Sequence, residues 1–197
     1  LYNVVMVCPP RYVSSFGVRK TFIPKNAPQL LGTNDMQVYY LKPSGWMSTD
    51  KVFDSDADII DFQTANVEYE NGSALVFHTN LSVVDEYRRF AVMGAKGMAE
   101  GDFVRNFLRV HDSRTSALLV DKHYEASGIS AHYGADEQMA RDVLAYLTTG
   151  AKLPVSVLDA LEAGLLALTM DEARRTRTVV DMRPLWERFD AAVEGRL

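Results

Sequence analysis

Residues 61–103 read DFQTANVEYENGSALVFHTNLSVVDEYRRFAVMGAKGMAEGDF, and this stretch decides the fold. Ala65, Val67 and Tyr69 recur at every second position, the period of a strand with one face in a core. Asn71-Gly72 follows, a dipeptide suited to the positive φ angles of a two-residue type I′ hairpin turn. Leu75, Phe77, Thr79 and Leu81 then alternate with Val76, His78 and Asn80 on the return strand. Tyr87, Arg89 and Ala91 alternate with Arg88, Phe90 and Val92 on a third strand, which closes on a bend spaced by Gly94, Gly97 and Gly101.

Working outward, PRYVSSFGVRK (10–20) has the alternation of a further half-buried strand. Residues 21–60 are broken by Pro24, Pro28, Pro43, Gly32 and Gly45 and read as a long irregular loop. Phe103–His111 and Thr115–Asp121 are two more strand candidates around an Asp112-Ser113-Arg114 turn. Strands that follow one another without intervening helices predict a mainly antiparallel sheet.

The period changes in the last third. Met139, Val143, Tyr146 and Leu147 recur at helical spacing up to Gly150, a helix stop. Ser156 with Asp159 resembles a capping box for a second helix. There Leu158, Leu161, Leu165 and Leu168 form one stripe, and Ala160, Gly164 and Ala167 a small-residue stripe beside it. Thr178–Asp181 fits a final strand, and Pro184–Phe189 a terminal turn or short helix. The expected class is α+β: one domain over residues 1–197, an open, mainly antiparallel sheet with helices packed on one face and no Rossmann domain.

Composition narrows the partners. The 197 residues are 47% hydrophobic and 24% charged, ordinary for a soluble globular chain. A net charge of −5 argues against nucleic acid or an anionic membrane as the main partner, since both call for a basic footprint. Cys8 is the only cysteine, which excludes an internal disulfide and fits the reducing cytoplasm. No apolar run approaches the roughly 18 residues of a membrane-spanning helix. The opening segment LYNVVMV starts without Met, cap or signal-peptide charge pattern, as an element entered midway would.

The chemical motifs are few. GAKGMAEG has the wrong spacing for a dinucleotide loop and is followed by strand-like DFVRNFLRVHD, so its glycines are expected to bend a strand. Asp54, Asp56 and Asp58 suggest a calcium loop, but Ile59 and Ala65 stand where an EF-hand needs Gly and Glu, leaving a solvated acidic loop. His78, His111 and His123 show no metal-site spacing, and Arg88-Arg89 read as surface ion-pair formers. His132 and Asp136, in AHYGADEQMARD, are the candidates for a site. They straddle a helix start, where free N–H groups and the helix dipole favour an anion, and the competing reading is that Asp136 only stabilises that helix end.

FGVRK (16–20), KPSGWM (42–47), DADIIDFQTANVEYENG (56–72), RRFAVMGAKGMAEGDF (88–103) and LPVSVLDALEAGLLALTMDEA (153–173), in this order and spacing, carry a family likeness. The chain resembles the C-terminal domain of the glucose–fructose oxidoreductase/inositol dehydrogenase/MocA (Gfo/Idh/MocA) family. The resemblance implies a parent protein whose N-terminal Rossmann domain binds NAD or NADP and which oxidises a sugar, inositol or related polyol by hydride transfer. In that plan LYNVVMV is similar to the tail of the helix bearing the general base, and this chain is the substrate and dimerisation domain. The family's substrate-facing position matches His132 and Asp136, although HYGAD here replaces an HGGGD-like segment. The implied partners are a sugar or polyol and a second copy bound through the sheet face. The chain alone is expected to hold no catalytic residue, bind no cofactor or metal, and show no activity. Two further readings stay open: a glycosidase of the same superfamily that oxidises transiently, and a non-catalytic sugar-sensing or dimerisation module.

Overall fold

The computed structural model describes residues 5–26, 58, 60–83, 86–125 and 131–195. Among the described residues, eight strands and three α-helices run in chain order. They are β1 (Pro10–Val18), β2 (Phe62–Tyr69), β3 (Ala74–Asn80), β4 (Arg89–Gly94), β5 (Gly97–Asp102), β6 (Phe107–Asp112), β7 (Leu118–His123), α1 (Ala135–Thr149), α2 (Val157–Thr176), β8 (Val180–Asp181) and α3 (Arg183–Val193). The strands form two four-stranded sheets, ordered β3-β2-β1-β8 and β4-β5-β6-β7, and every neighbouring pair is antiparallel. The fold is therefore α+β, as the strand-then-helix order predicts, with the strands divided between two sheets. The chain divides into two compact units, 1–84 with 157–197 and 85–156. The irregular 27–57 stretch, with Asp54 and Asp56, lies outside the described residues, as does the opening 1–4 segment.

The first unit owns the core. Val13 faces Val67 and Ser15 faces Ala65 across the β1–β2 ladder, and all four side chains are buried. Tyr69 and Leu75 extend this face, while Phe16 and Val76 point to the other side and are exposed. Burying Ser15 is tolerated because its hydroxyl donates to the Thr64 carbonyl at 3.1 Å and accepts from Gln63 at 3.0 Å. Leu166, Met170 and Ala173 of α2 and Met182 close the core. Trp186 of α3 packs at its edge and donates its indole N–H to the Pro10 carbonyl at 2.7 Å.

Two sequence expectations are corrected here. The buried face of α2 is Leu166, Thr169, Met170 and Ala173, whereas Leu158, Leu161 and Leu168 are exposed and nothing lies within 4 Å of an added Cβ at Gly164. The helix carries apolar residues around most of its circumference, so periodicity alone could not choose the side that meets the sheet. The β2–β3 connection is a three-residue loop, not a two-residue type I′ turn. Tyr69 accepts from Gly72 N–H at 2.9 Å and donates to Ser73 O, and Gly72 alone has positive φ, at 79°. Asn71 instead spends its side chain locally, accepting from Ser73 N–H and hydroxyl and donating to the Met6 carbonyl.

In the second unit the structure adds β5 where the glycine spacing predicts a bend. Gly94 and Gly97 pair across an Ala95-Lys96 turn, and an added Cβ at Gly101 would stand 2.7 Å from both the Phe107 carbonyl and the Phe90 ring. Gly97 and Gly101 thus belong to a strand, β5, whose neighbours approach too closely for a side chain.

Aspartates hold the turns. Asp61 is buried, and its Oδ2 accepts the N–H groups of Lys20, Thr21 and Phe22 at 2.9, 2.6 and 3.0 Å, fixing the chain as it leaves β1. Asp102 does the same for the 103–106 turn, its Oδ1 accepting from Val104, Arg105 and Arg88 at 2.9, 3.2 and 3.3 Å. Burial works to raise the Asp102 pKa, but the three backbone donors outweigh it and leave it below the usual value. On the first sheet the Arg183 guanidinium hydrogen-bonds Asp181 and holds its pKa at about 2.

Replacing Gly164 by Ala should stabilise the protein by about 0.5–1 kcal/mol, because the helix gains a better former and the space is open. Gly101→Ala should destabilise it by about 1–3 kcal/mol through overpacking, and chemical denaturation of the two variants checks both signs. Asp181 and Asp102 both have pKa values lowered in the folded state, so their stabilisation is complete above the ordinary carboxylate pKa of about 4 and lost as the pH falls toward 2. Carboxyl carbon shifts followed by NMR should show Asp181 still ionised when ordinary surface carboxyls have protonated.

Candidate functional site

His132 and Asp136 are brought together. His132 sits in a 3-10 turn (Ala131–Gly134) with φ of 53°, and Gly134, at φ 89°, leads into α1. This turn swings the imidazole back over the first helical turn, where His132 Nδ1 lies 2.8 Å from Asp136 Oδ2. Both side chains are roughly half exposed. Asp136 thus grips an imidazole, which a role confined to stabilising the helix end does not require. The apolar residues that recur at helical spacing along α1, Met139, Val143, Tyr146 and Leu147, are all exposed.

The other histidines go elsewhere. His78 stacks edge-on against Phe62, His123 lies over Phe107 with Asp121 at 3.9 Å, and His111 lies within β6. The two arginines act as expected: Arg88 pairs with Glu86, and Arg89 with Asp102 while covering the Tyr87 ring. Among the described residues no three His, Cys, Asp or Glu side chains are placed to hold a metal ion.

The second sheet has two unlike faces, readable from its register. The cross-strand rows Arg89-Asp102-Phe107-His123 and Ala91-Glu100-Arg109-Asp121 make a charged and aromatic face. The rows Phe90-Gly101-Leu108-Lys122 and Val92-Ala99-Val110-Val120 make a mainly apolar one. Among the described residues, only Gly101 and Asp102 of this unit are buried, so the sheet encloses no large apolar side chain.

The first unit offers two clefts among its described residues, neither marked by a sequence motif. One, of about 450 Å³, runs between α2, β8 and the start of α3 past Leu165, Leu168 and Leu185. The other, of about 390 Å³, is lined by Cys8, Pro9, Pro10, Glu162, Trp186 and Asp190. The spacing of Trp186 and Asp190, one helical turn apart, was the signal available for the second.

No family model and no curated protein sequence matches the chain. Solved structures do match. An aldose–aldose oxidoreductase from Caulobacter crescentus, solved with glycerol, aligns over 91% of this chain and 43% of its own, at 14% identity and a TM-score of 0.55. The likeness shows a shared fold, that of the part of the oxidoreductase chain which the match covers. A levoglucosan dehydrogenase, solved with NADH and levoglucosan, matches over 89% of this chain and 45% of its own, at 14% identity and a TM-score of 0.61. A UDP-N-acetylglucosamine 3-dehydrogenase from Acidithiobacillus ferrooxidans matches over 87% and 42%, at 15% identity and a TM-score of 0.55. The chain spans less than half the length of each. No described helix is long and apolar enough to cross a membrane.

Asp136→Ala should leave thermal stability within about 1 kcal/mol of the parent, since the pair is exposed. It should release the His132 ring, which the imidazole ¹⁵N and ¹³C signals would show as loss of the Nδ1 hydrogen bond and averaging of the rotamers.

Proposed function

We propose that this chain is the substrate-side part of an oxidoreductase that moves a hydride between a nicotinamide cofactor and a sugar, inositol or related polyol. The observation that carries the reading is the fold match, which spans nearly all of this chain but less than half of each sugar-active neighbour. A protein related to only that part of the assembly supplies a substrate wall and an interface, while hydride transfer needs cofactor and substrate held in contact.

The described residues do not fit a dinucleotide. Gripping one takes a glycine-rich turn opening a helix at the end of a parallel strand, whereas both sheets here are antiparallel and Gly94, Gly97 and Gly101 lie in a hairpin. The nicotinamide is therefore assigned to a separate nucleotide-binding domain, and no chemical step is assigned to this chain. Its contribution is recognition. An imidazole steadied by a carboxylate, as His132 is by Asp136, suits the hydrogen bonding that sugar hydroxyls require.

The proposal includes a homodimer formed through the open sheet. The apolar rows around Val92, Ala99, Val110 and Val120 give such a contact its surface, because a sheet face of this kind is stable only when covered.

The isolated chain should show no oxidoreductase activity and no micromolar affinity for NADH or NADPH; saturable nicotinamide fluorescence changes in that range would overturn the assignment. Light scattering should give twice the chain mass of 22.0 kDa, and Val110→Lys should return it to the monomer. A monomeric parent chain would remove the dimer from the proposal.

A further inference from the structure

We propose that the cleft between α2, α3 and the approach to β1 binds a small organic ammonium ion. Trp186 and Asp190 lie four residues apart on α3 and so share a face, and Glu162 reaches the same cleft from α2. The cleft holds about 390 Å³, enough for a compact guest, and Pro9 and Pro10 add apolar wall.

Three observations select a cation. The Trp186 indole N–H is committed to the Pro10 carbonyl at 2.7 Å, and Phe189 stands edge-on to the ring at 5.8 Å and 86°. The ring is thereby fixed with its polar atom used, and where it lines the cleft it offers a guest only carbon edge and π surface, the latter attractive to cations. Glu162 and Asp190 have no ion pair or side-chain hydrogen bond among the described residues. By contrast, Asp171, Glu172 and Asp181 are each held by an arginine. Two unpaired carboxylates beside a fixed indole complement positive charge and repel anions.

The walls then select an organic cation over a metal ion. No three ligating side chains converge among the described residues, whereas indole and proline surfaces suit the alkyl groups around an ammonium nitrogen. The class is a primary to quaternary ammonium with a compact apolar body. This inference is independent of the proposed oxidoreductase role, since the cleft shares no residue with His132 and Asp136.

Choline and its neutral isostere 3,3-dimethylbutanol test it. The chain has two tryptophans, Trp46 and Trp186, so a Trp46→Phe chain reports on Trp186 alone. Choline should change its fluorescence saturably in the millimolar range, with the isostere weaker by about tenfold or more. The double substitution Glu162→Gln with Asp190→Asn should weaken choline by at least about tenfold, and added salt should compete. Absence of saturable binding, equal binding of the isostere, or indifference to the double substitution would overturn the proposal. Should the double variant fail to fold, the choice between choline and its isostere in the otherwise native chain still decides.

Discussion

The first unit depends on one buried sheet face. Val13, Ala65, Val67, Tyr69 and Leu75 present a continuous apolar surface only because β1, β2 and β3 pair in a single register, and a slip of one residue would turn all of them to the other side. Met170 and Ala173 of α2 cover that face, and Met182, donating its N–H to the Arg11 carbonyl, draws the C-terminal segment alongside β1. Residues more than 150 positions apart are thus joined at the strand that begins the described core. The indole of Trp186 then closes onto Pro10, so the same constraint that completes the core also shapes the adjacent cleft.

The second unit is built on a different balance. Among the described residues its sheet encloses no large apolar side chain and is organised instead by short hydrogen-bonded devices. Asp102 gathers three backbone N–H groups at one end, and Asp112 accepts from Arg114 and Thr115 at another. A sheet with a charged face, an apolar face and no core of its own is suited to recognition and association. That is the role proposed for it above.

Much of this was legible in the sequence because strand period and turn chemistry are local. Ala65, Val67 and Tyr69 announced the buried face, Asn71-Gly72 located the hairpin, and Gly150 ended α1 where expected. What was not legible depended on contacts between distant segments. GMAEGD looks unlike a strand because Gly97 answers to the His111 carbonyl and Gly101 to the Phe107 carbonyl and the Phe90 ring, which only the folded register brings near. The leucines of α2 formed a plausible stripe, yet Met170 and Ala173 won the sheet: they lie in the half of the helix that leads into β8, which pairs with β1. The pairing of His132 with Asp136 was half visible: their spacing was in the sequence, but the positive φ of His132 that closes the contact was not.

The central claim is that this fold works as the substrate side of a nicotinamide-dependent enzyme, and the most direct test is to sequence the coding frame upstream of the Leu1 codon. The account predicts an open frame of roughly 120 further codons, the size of one nucleotide-binding domain. It should encode a strand, a G-x-G-x-x-G turn and a helix. A frame that opens at Leu1, or that continues into sequence without the glycine turn, would contradict it.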